Sequence, residues 1–481
     1  MNPDSQFALD INGPARATYW IGPHALQLKG VLLLSHFDGR APYETNYTGE
    51  VNGHMGQVAT VNGGLIFRPG KFYKAAQIAE ATTNLIKNPS WEVDTSGWTN
   101  SGFTLYLRQT DMPYIGTAGG YVKVTSHNSS TNESIVTTNI TDMAVVASTS
   151  YTASLYARGT KTGTGTVYVF WYNASSVFLS SSSFAMPSGV LGSWTRIAGT
   201  VTSPVNAAYA RVAIATDGCT NGTVFELWLD AVQFEQKSYL TPYCDGGLGD
   251  GHSWTGTANA SSSTRTAAQL SYPVSGNVAA IGTIMFWVKL DALRNWQMLW
   301  RLRAGEATHG VDCYVDVSGN IVFRLDGSTI FSQANAAITA GAWTHIACTW
   351  NGSTSALYVN GALKDSDSGG VFYGMESTLW IGSNGGASYF INGLIDDFCI
   401  LDRAADAKEI LSVYESNAPV FAETSTFSFR PTPKGLIWAD DEGLWMRDTA
   451  GKPVLGVYGG EAATKNWGGF NLVPGDLLLG N

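Results

Sequence analysis

The sequence contains few charged residues and lacks the repeats that mark fibrous proteins. Its 481 residues include 28 Lys or Arg and 38 Asp or Glu, so charged residues make up 14 % of the chain. Ordinary soluble domains contain about 25 %. Disorder requires low hydrophobicity and high charge, whereas 44 % of these residues are hydrophobic. Because neither a heptad nor a Gly-X-Y period is present, coiled-coil and collagen-like chains are excluded as well.

Long apolar runs, a secretory signal and a basic patch are also missing. The longest apolar run near the start, 30–34, fits a strand and is far too short to cross a bilayer, so we expect no membrane insertion. The first residues have no positively charged segment followed by an apolar one, and we expect no secretory signal. The net charge is −10 without a dense basic cluster, which argues against a nucleic-acid partner.

Cysteine is scarce and widely spaced. The 5 cysteines include no CxxC pair, which argues against a disulfide framework and against a zinc site. Cys348 and Cys399 lie inside apolar strand patterns, so we predict that both are small buried hydrophobic residues.

The chain also lacks the motifs of hydrolytic and nucleotide-binding sites. Sandwich glucanases carry Glu-x-Asp-x-x-Glu on one strand, and retaining hydrolysis needs two carboxyls about 5–5.5 Å apart. That spacing is absent, since the acidic run 440–442 is contiguous and the adjacent Asp396 and Asp397 should point to opposite faces of a strand. HExxH, GxSxG and Walker motifs are absent too. We therefore assign no catalytic residue and expect a non-enzymatic protein.

Short runs of alternating apolar residues, bounded by Gly, Asn, Asp and Ser, dominate what is present. They include 167–172, 211–215, 225–229, 283–288, 344–350 and 356–359. One helix is predicted, over 404–416, with Ile410, Leu411 and Val413 on its apolar face. Many strands with almost no helix predict an all-β protein built from antiparallel sandwiches.

The central part of the chain carries a first family resemblance. Residues 84–92 read Asn-Leu-Ile-Lys-Asn-Pro-Ser-Trp-Glu, followed by Gly97-Trp98, and residues 227–235 read Leu-Trp-Leu-Asp-Ala-Val-Gln-Phe-Glu. These end motifs, with 150–156 and 194–200 between them, resemble the jelly-roll carbohydrate-binding modules appended to cellulases and xylanases. The resemblance implies a sandwich in which Trp98 belongs to the core.

A second resemblance spans roughly 280–418. The segments 283–289, 343–350, 357–361, 379–383 and 390–403 follow one another as in laminin-G-like domains of the concanavalin A-like superfamily. That family begins with strands similar to 32–39 and 63–76, which here precede the central module. We therefore expect the jelly roll to be inserted into an early loop of the laminin-G-like sandwich. The alternative is a small independent N-terminal domain.

These resemblances divide the chain into five sections. The sections are an N-terminal arm (1–27), the first part of the laminin-G-like sandwich (28–84), the inserted jelly roll (85–243), the remainder of the sandwich (244–418) and a C-terminal β-hairpin tail (419–481). Short hairpins do not easily form a core alone, so the tail is expected to need partner chains. Its end, 473–480, resembles the ends of bacteriophage and prophage structural proteins.

The jelly-roll resemblance also implies a structural Ca²⁺ between the first and last strands. The matching residues are Glu92 and Asp230, with backbone carbonyls as further ligands, because calcium takes six to eight oxygens. The alternative is that Glu92 caps a turn and Asp230 is a solvated edge residue. Laminin-G-like sandwiches can hold Ca²⁺ at the sheet rim, which makes Asp38 and Asp397 secondary candidates.

Candidate glycan-binding residues are aromatic, because sugar rings stack on exposed Trp and Tyr. Alternation places Tyr168, Phe170 and Tyr172 on one face of a strand and Trp171 on the other, although the sequence does not say which face is exposed. Trp254, Tyr373 and Tyr389 lie between the family motifs and are further candidates for exposed contacts.

Together these features predict a bacteriophage or phage-like virion protein: a tail-fibre, tail-tip or head-fibre adhesin that is made in the host cytoplasm and acts outside it. Its sandwiches are expected to bind cell-surface glycans, and its arm and tail to bind other virion proteins. A homotrimer is implied by resemblance to such fibres. The alternatives are a purely structural minor tail or capsid decoration protein, or a secreted carbohydrate-binding adhesin.

Overall fold

The structure is a computed structural model. It describes residues 31–35 and 37, 59–72, 74–274, 281–303, 310–325, 338–352, 354–368, 378–385 and 388–417, and the backbone of short strands elsewhere. The chain divides into two compact units, one formed by 1–30 with 416–481 and the other by 31–415.

The first part of the chain contributes short strands. They are β1 (Ala8–Leu9), β2 (Thr18–Tyr19), β3 (Gln27–Leu28), β4 (Val31–Ser35), β5 (Thr60–Asn62), β6 (Ile66–Pro69), β7 (Lys74–Ile78) and β8 (Thr82–Asn84).

The central part contributes eleven strands and a 3-10 turn at Ile140–Asp142. The strands are β9 (Trp98–Ser101), β10 (Leu105–Gln109), β11 (Gly119–Val124), β12 (Ser134–Thr137), β13 (Met143–Ala144), β14 (Ser150–Lys161), β15 (Thr166–Tyr172), β16 (Phe178–Ala185), β17 (Leu191–Thr202), β18 (Tyr209–Ala215) and β19 (Phe225–Glu235).

The following part contributes more strands and the helix α1 (Ala407–Ser416). The strands are β20 (His252–Trp254), β21 (Ser263–Arg265), β22 (Gln269–Pro273), β23 (Gly282–Leu290), β24 (Gln297–Arg303), β25 (Gly310–Val315), β26 (Ile321–Leu325), β27 (Thr329–Gln333), β28 (Thr344–Trp350), β29 (Thr354–Val359), β30 (Ala362–Ser368), β31 (Thr378–Ile381) and β32 (Gly393–Leu401).

The terminal unit contains the last strands together with β1 to β3. The last strands are β33 (Phe421–Ala422), β34 (Ile437–Asp440), β35 (Gly443–Arg447), β36 (Pro453–Val457), β37 (Asn466–Trp467) and β38 (Phe470–Asn471). β34, β35 and β36 form a three-stranded antiparallel sheet, and β3 pairs with β33 in parallel.

The central strands form a sandwich of two antiparallel sheets. One sheet has the order β10-β11-β19-β14-β17, and the other has the order β16-β15-β18-β12-β9, with β13 also on β18. The core between them contains Trp91, Trp171 and Phe234. Trp98 is also buried and stacks on Trp91 at a ring-centroid distance of 5.1 Å, as the first resemblance implied.

Strands from both sides of the central sandwich form an outer sandwich. Its seven-stranded sheet has the order β27-β26-β25-β24-β31-β22-β5. Its eight-stranded sheet has the order β30-β29-β28-β23-β32-β7-β6, and β4 also pairs with β32. The early strands β4 to β7 therefore lie in the same two sheets as strands that follow the central sandwich. The predicted all-β class, with antiparallel sandwiches, is confirmed.

The helix α1 explains why two strands of the outer sandwich do not alternate. β23 and β28 are buried along almost their whole length, because one face meets the core and the other is covered in part by the helix. Tyr414 of α1 stacks on Trp287 at 5.7 Å, and the His345 ring lies 5.2 Å from the Trp287 ring.

The observed helix is shorter than the predicted one. It begins at Ala407 because the Asp406 carboxylate accepts hydrogen bonds from the Lys408 and Glu409 backbone amides, as an N-cap residue does. Ile410 and Val413 are buried as predicted, but Leu411 is 40 % exposed. Residues three apart share a helix face, whereas adjacent residues do not.

All five cysteines are free thiols, and Cys348 and Cys399 are fully buried as predicted. None of the helices in the described part of the chain is long and apolar enough to cross a membrane.

Asn84 holds together the two ends of the central sandwich. Its side-chain amide donates hydrogen bonds to the backbone oxygens of Val232 (2.9 Å) and Cys244 (3.1 Å). Its side-chain oxygen accepts from the backbone amides of Ile86 (3.1 Å) and Phe234 (3.0 Å). The side chain is fully buried, so every one of these bonds replaces water. One residue thus joins the strand that enters the sandwich to the strand and segment that leave it.

Glu80 joins the two sandwiches through charged and polar partners. Its carboxylate accepts from Lys237 (2.8 Å) and Tyr239 (3.1 Å) after the central sandwich, and from Asn392 (2.7 Å) of the outer one. Burial opposes ionisation of Glu80, but Arg294 and Lys237 hold its pKa below its ordinary value. An open cavity of about 540 Å³ lies at this junction, lined by both polar and apolar side chains, among them Thr82, Leu85, Lys237 and Arg265.

We predict that Asn84→Ala destabilises the protein by about 3 kcal/mol or more, because it leaves several buried backbone groups without partners and each costs about 1–3 kcal/mol. Denaturant unfolding of the full chain measures the change. Asn100→Ala is the control: the exposed Asn100 side chain on β9 makes two hydrogen bonds, and both are local, with the Phe103 backbone. Equal losses for the two variants would contradict the role of Asn84.

Candidate functional site

The predicted aromatic strand β15 exposes one row of rings on the six-stranded sheet. Val167, Val169 and Trp171 are buried, whereas Tyr168, Phe170 and Tyr172 are half-buried on the opposite face. The Tyr168 and Phe170 rings are nearly parallel, 5.6 Å apart at an interplanar angle of 5°. The structure therefore brings the three predicted rings together, and they lie on the solvent side of the sheet.

The neighbouring strand extends this row. Phe178 is 54 % exposed, and its ring lies edge-on to Phe170 at 6.3 Å and to Tyr172 at 5.9 Å. We call Tyr168, Phe170, Tyr172 and Phe178 the aromatic platform. Phe178 joins it because the β15–β16 register shifts between Trp171 and Tyr172, so that Tyr172 lies opposite Phe178.

Polar groups border the aromatic platform. In register, Ser183 lies opposite Tyr168, and Ser181 lies opposite Phe170, on the β16 side. On the β18 side Arg211 lies opposite Phe170, and its Nε donates to the Thr137 carbonyl. Burial and the charge of Asp217 raise the pKa of Tyr168, so its hydroxyl stays protonated over the physiological range. Flat apolar rings beside hydroxyl and guanidinium donors can stack on a sugar ring and hydrogen-bond its hydroxyls.

The other predicted aromatic residues lie elsewhere. Trp254 is half-buried on β20, in the three-stranded sheet β20-β21-β8, and is not part of the platform. Tyr389 is 39 % exposed on the outer sandwich and is also separate from it. Tyr373 lies outside the described residues.

A second aromatic surface, missed in the sequence, lies on the five-stranded sheet. Tyr114 stacks on Tyr156 at 3.7 Å and lies 5.8 Å from the Trp194 ring. Farther along, Tyr121 and Trp228 are cross-strand neighbours with ring centroids 5.1 Å apart. Alternation along β14 and β19 could have placed Tyr156 and Trp228 on the outer face of the sheet. Only the pairing of the strands shows which rings from distant segments are neighbours. Tyr156 packs against a cluster that includes Ile66 of the outer sandwich, which covers one end of this surface.

The predicted calcium ligands Glu92 and Asp230 both accept hydrogen bonds from the loop 114–117. Asp230 is fully buried, and its carboxylate accepts from the backbone amides of Tyr114 (2.8 Å), Ile115 (3.1 Å) and Ala231 (2.6 Å). Burial, with a smaller contribution from the Glu92 charge, raises the pKa of Asp230 to about 8. Asp230 is therefore no solvated edge residue.

Glu92 is bound to the adjacent loop. Its carboxylate accepts from the Thr117 backbone amide (3.0 Å) and hydroxyl (2.7 Å). A third carboxyl, Asp245, has its pKa raised by burial and, to a smaller extent, by the Glu92 charge. Among the described residues, however, no three His, Cys, Asp or Glu side chains form a ready-made metal-binding group. Any ion here would depend on two carboxylates and on backbone oxygens.

Of the two secondary calcium candidates, the structure describes only Asp397. Asp397 is buried in a bulge of β32, with φ at +49°, and Asp38 lies outside the described residues. The bulge also interrupts the alternation expected for Asp396 and Asp397. Both are buried, and Asp396 accepts from the Lys71 (2.8 Å) and Phe72 (3.0 Å) backbone amides.

Comparison with known proteins assigns one part of the chain. Residues 262–411 match the laminin G family model of the concanavalin A-like lectin/glucanases superfamily. The chain contains a concanavalin A-like domain. The matched residues belong to the outer sandwich, and the second predicted resemblance is thereby confirmed. No curated protein matches the chain in sequence.

Several solved structures resemble part of the chain. A pentraxin from Limulus polyphemus is 18 % identical, with 28 % of this chain and 70 % of the pentraxin chain covered and a TM-score of 0.25. Domain 4 of an extracellular arabinanase from Geobacillus stearothermophilus is 17 % identical, with 36 % and 85 % covered and a TM-score of 0.27. The receptor binding domain of a botulinum neurotoxin C/D mosaic is 16 % identical, with 38 % and 51 % covered and a TM-score of 0.27.

Proposed function

We propose that this protein is a non-enzymatic glycan-binding adhesin of a bacteriophage or phage-like virion, carried on a tail fibre, tail tip or head fibre. The aromatic platform is the observation that carries the proposal. It places four aromatic rings on the solvent side of the sheet instead of in the hydrophobic core. Large aromatic side chains that remain exposed beside polar groups mark binding surfaces.

The binding mode follows from the platform's geometry. A pyranose ring stacks on the parallel Tyr168 and Phe170 rings through its C–H face, and Phe178 closes one side. Ser181, Ser183 and Arg211 then hydrogen-bond the sugar hydroxyls at the border. Such a shallow site binds one sugar weakly, so effective attachment requires several copies, and multivalency multiplies affinity by about 10²–10⁴.

We predict that Phe170→Ala combined with Phe178→Ala lowers glycan affinity by about tenfold or more, because each aromatic contact contributes about 0.5–1.5 kcal/mol and 1.4 kcal/mol is tenfold. Binding is measured with the full chain on an array of bacterial surface polysaccharides, and then by titration calorimetry on the strongest ligand.

The control for this test is Leu107→Ala, which removes an exposed apolar side chain from β10 on the other sheet. Trp194→Ala tests the second aromatic surface in parallel. If the platform variant binds as the wild type does while Trp194→Ala loses binding, the platform is not the site.

Assembly is the second part of the proposal: the terminal unit holds the copies together and attaches them to other virion proteins. Both ends of the chain lie in this one unit, where β3 pairs with β33. Its strands are two to five residues long, and short hairpins do not easily form a core alone, which favours completion by partner chains.

We predict a homotrimer whose assembly depends on the tail. Light scattering should give a mass near three times 51.4 kDa for the full chain and a monomer for a chain ending at Ser416. A monomeric full chain would contradict the trimer and favour a decoration protein bound singly to a larger lattice.

A structural Ca²⁺ held by Glu92 and Asp230, with backbone carbonyls, is the third part. The residues fit a hard cation: Asp230 is a buried carboxylate with no cationic partner described, and burial, with a smaller contribution from the Glu92 charge, raises the pKa of both Asp230 and Asp245. A bound cation would offset this repulsion and hold the first strand of the sandwich to the last. We also propose a second Ca²⁺ with Asp38 and Asp397 as ligands.

We predict that millimolar CaCl₂ raises the unfolding temperature of the chelator-treated full chain, because a ligand at 100 times its Kd stabilises a protein by about 2.7 kcal/mol. Calorimetric scans with and without Ca²⁺ measure the shift. Glu92→Gln should abolish most of it, whereas Glu226→Gln, a half-exposed carboxylate on the same strand as Asp230, should leave it intact. A shift of equal size in both variants would exclude Glu92 as a ligand.

A further inference from the structure

Three rings meet on the outer face of the seven-stranded sheet of the outer sandwich. Trp296 precedes β24, Tyr314 lies on β25, and Tyr389 precedes β32. The Trp296 ring stacks on Tyr314 at 4.5 Å and 24°, and lies 5.9 Å from the Tyr389 ring at 47°. The Met298 backbone amide donates to the Tyr389 carbonyl at 2.9 Å, which fixes the two loops side by side.

Two of these rings face solvent in an unfavourable backbone conformation. Trp296 is 37 % and Tyr389 is 39 % exposed, and their φ angles are +60° and +61°. Aromatic L residues rarely adopt positive φ, and such strain collects where a side chain must be aimed for a purpose. Here the strained backbone directs two large rings toward solvent, where they contribute little to the hydrophobic core.

Beneath and beside the rings lie an apolar floor and a fixed guanidinium. Met298, Tyr314 and Val322 form a buried cluster across three strands. The Arg324 guanidinium lies 5.2 Å from the Tyr314 ring and 5.7 Å from the Trp296 ring. Its Nε donates to Asp312 at 2.6 Å, and its Nη2 donates to the other oxygen of that fully buried carboxylate. The bidentate contact holds the guanidinium in one orientation.

We propose that Trp296, Tyr389, Tyr314 and Arg324 form a second saccharide-binding site, on the concanavalin A-like domain. The exposed Trp296 and Tyr389 rings stack on the C–H face of a pyranose, the buried Tyr314 supports Trp296 from below, and Arg324 orients the sugar hydroxyls. The arrangement is open and shallow, which suits a sugar at the end or along the side of a chain better than an enclosed small molecule. The site extends the proposed glycan binding to the second sandwich and shares no residue with the aromatic platform.

The test uses full-length chains on a printed array of pyranose oligosaccharides, followed by titration with the strongest ligand of each variant. In the background of Phe170→Ala with Phe178→Ala, Trp296→Ala should lower the remaining binding by about tenfold or more. Trp296→Phe should restore part of it, because a smaller ring still stacks. Leu363→Ala, an exposed apolar position on the other sheet, is the control.

Each outcome separates the two sites. Loss in the Trp296 variants with normal binding by the platform variant supports this site and contradicts the platform. Wild-type binding by Trp296→Ala in both backgrounds overturns the second site and leaves the platform standing. If wild-type protein binds no oligosaccharide on the array, the second site is also overturned. Unchanged melting temperatures show that any loss is local.

Discussion

The central sandwich can exist inside the outer one only because its two ends meet. Asn84 holds the two ends together. Its side chain hydrogen-bonds four backbone groups, one at the start of the central sandwich and three in its last strand and the segment that follows. Glu80 and Arg265 also connect the segments before and after the central sandwich, because the Arg265 guanidinium donates hydrogen bonds to the Glu80 backbone carbonyl. With both ends held at one point, the insertion leaves the sheets of the outer sandwich continuous, and the proposed binding surfaces on the two sandwiches occur in one chain.

Each sandwich keeps aromatic side chains on an outer face as well as in its core. In β15 the alternation is strict, so Trp171 packs inside and Phe170 lies outside on the same strand. In the outer sandwich the exposed rings come from loops instead, where positive φ angles turn Trp296 and Tyr389 outward. Strand alternation in one sandwich and loop conformation in the other therefore produce similar surfaces, with flat aromatic rings beside hydrogen-bond donors.

Much of this architecture could be predicted from local patterns, and the remainder depends on pairing between distant segments. The motifs at 84–92 and 227–235 predict the central sandwich, and alternation predicts that Tyr168, Phe170 and Tyr172 share a face. Alternation alone does not show which face is exposed, because Trp171 makes both faces aromatic. Phe178 joins the platform only through a register shift, and Trp296 meets Tyr389 only through the folded sheet. The helix begins three residues after its predicted start because Asp406 caps its N-terminus.

The strands of the outer sandwich are far apart in the sequence, which has a consequence for folding during synthesis on the ribosome. The Lys71 amide bonds Asp396, a partner 325 residues later in the chain. At about 5–20 residues per second, the early strands emerge roughly 15–65 s before that partner exists. In that interval the central sandwich can fold as a unit and bring its own ends together, while β4 to β7 expose unpaired edges that are open to wrong pairing. If the central sandwich closes first, it brings the two halves of the outer sandwich together before their strands pair.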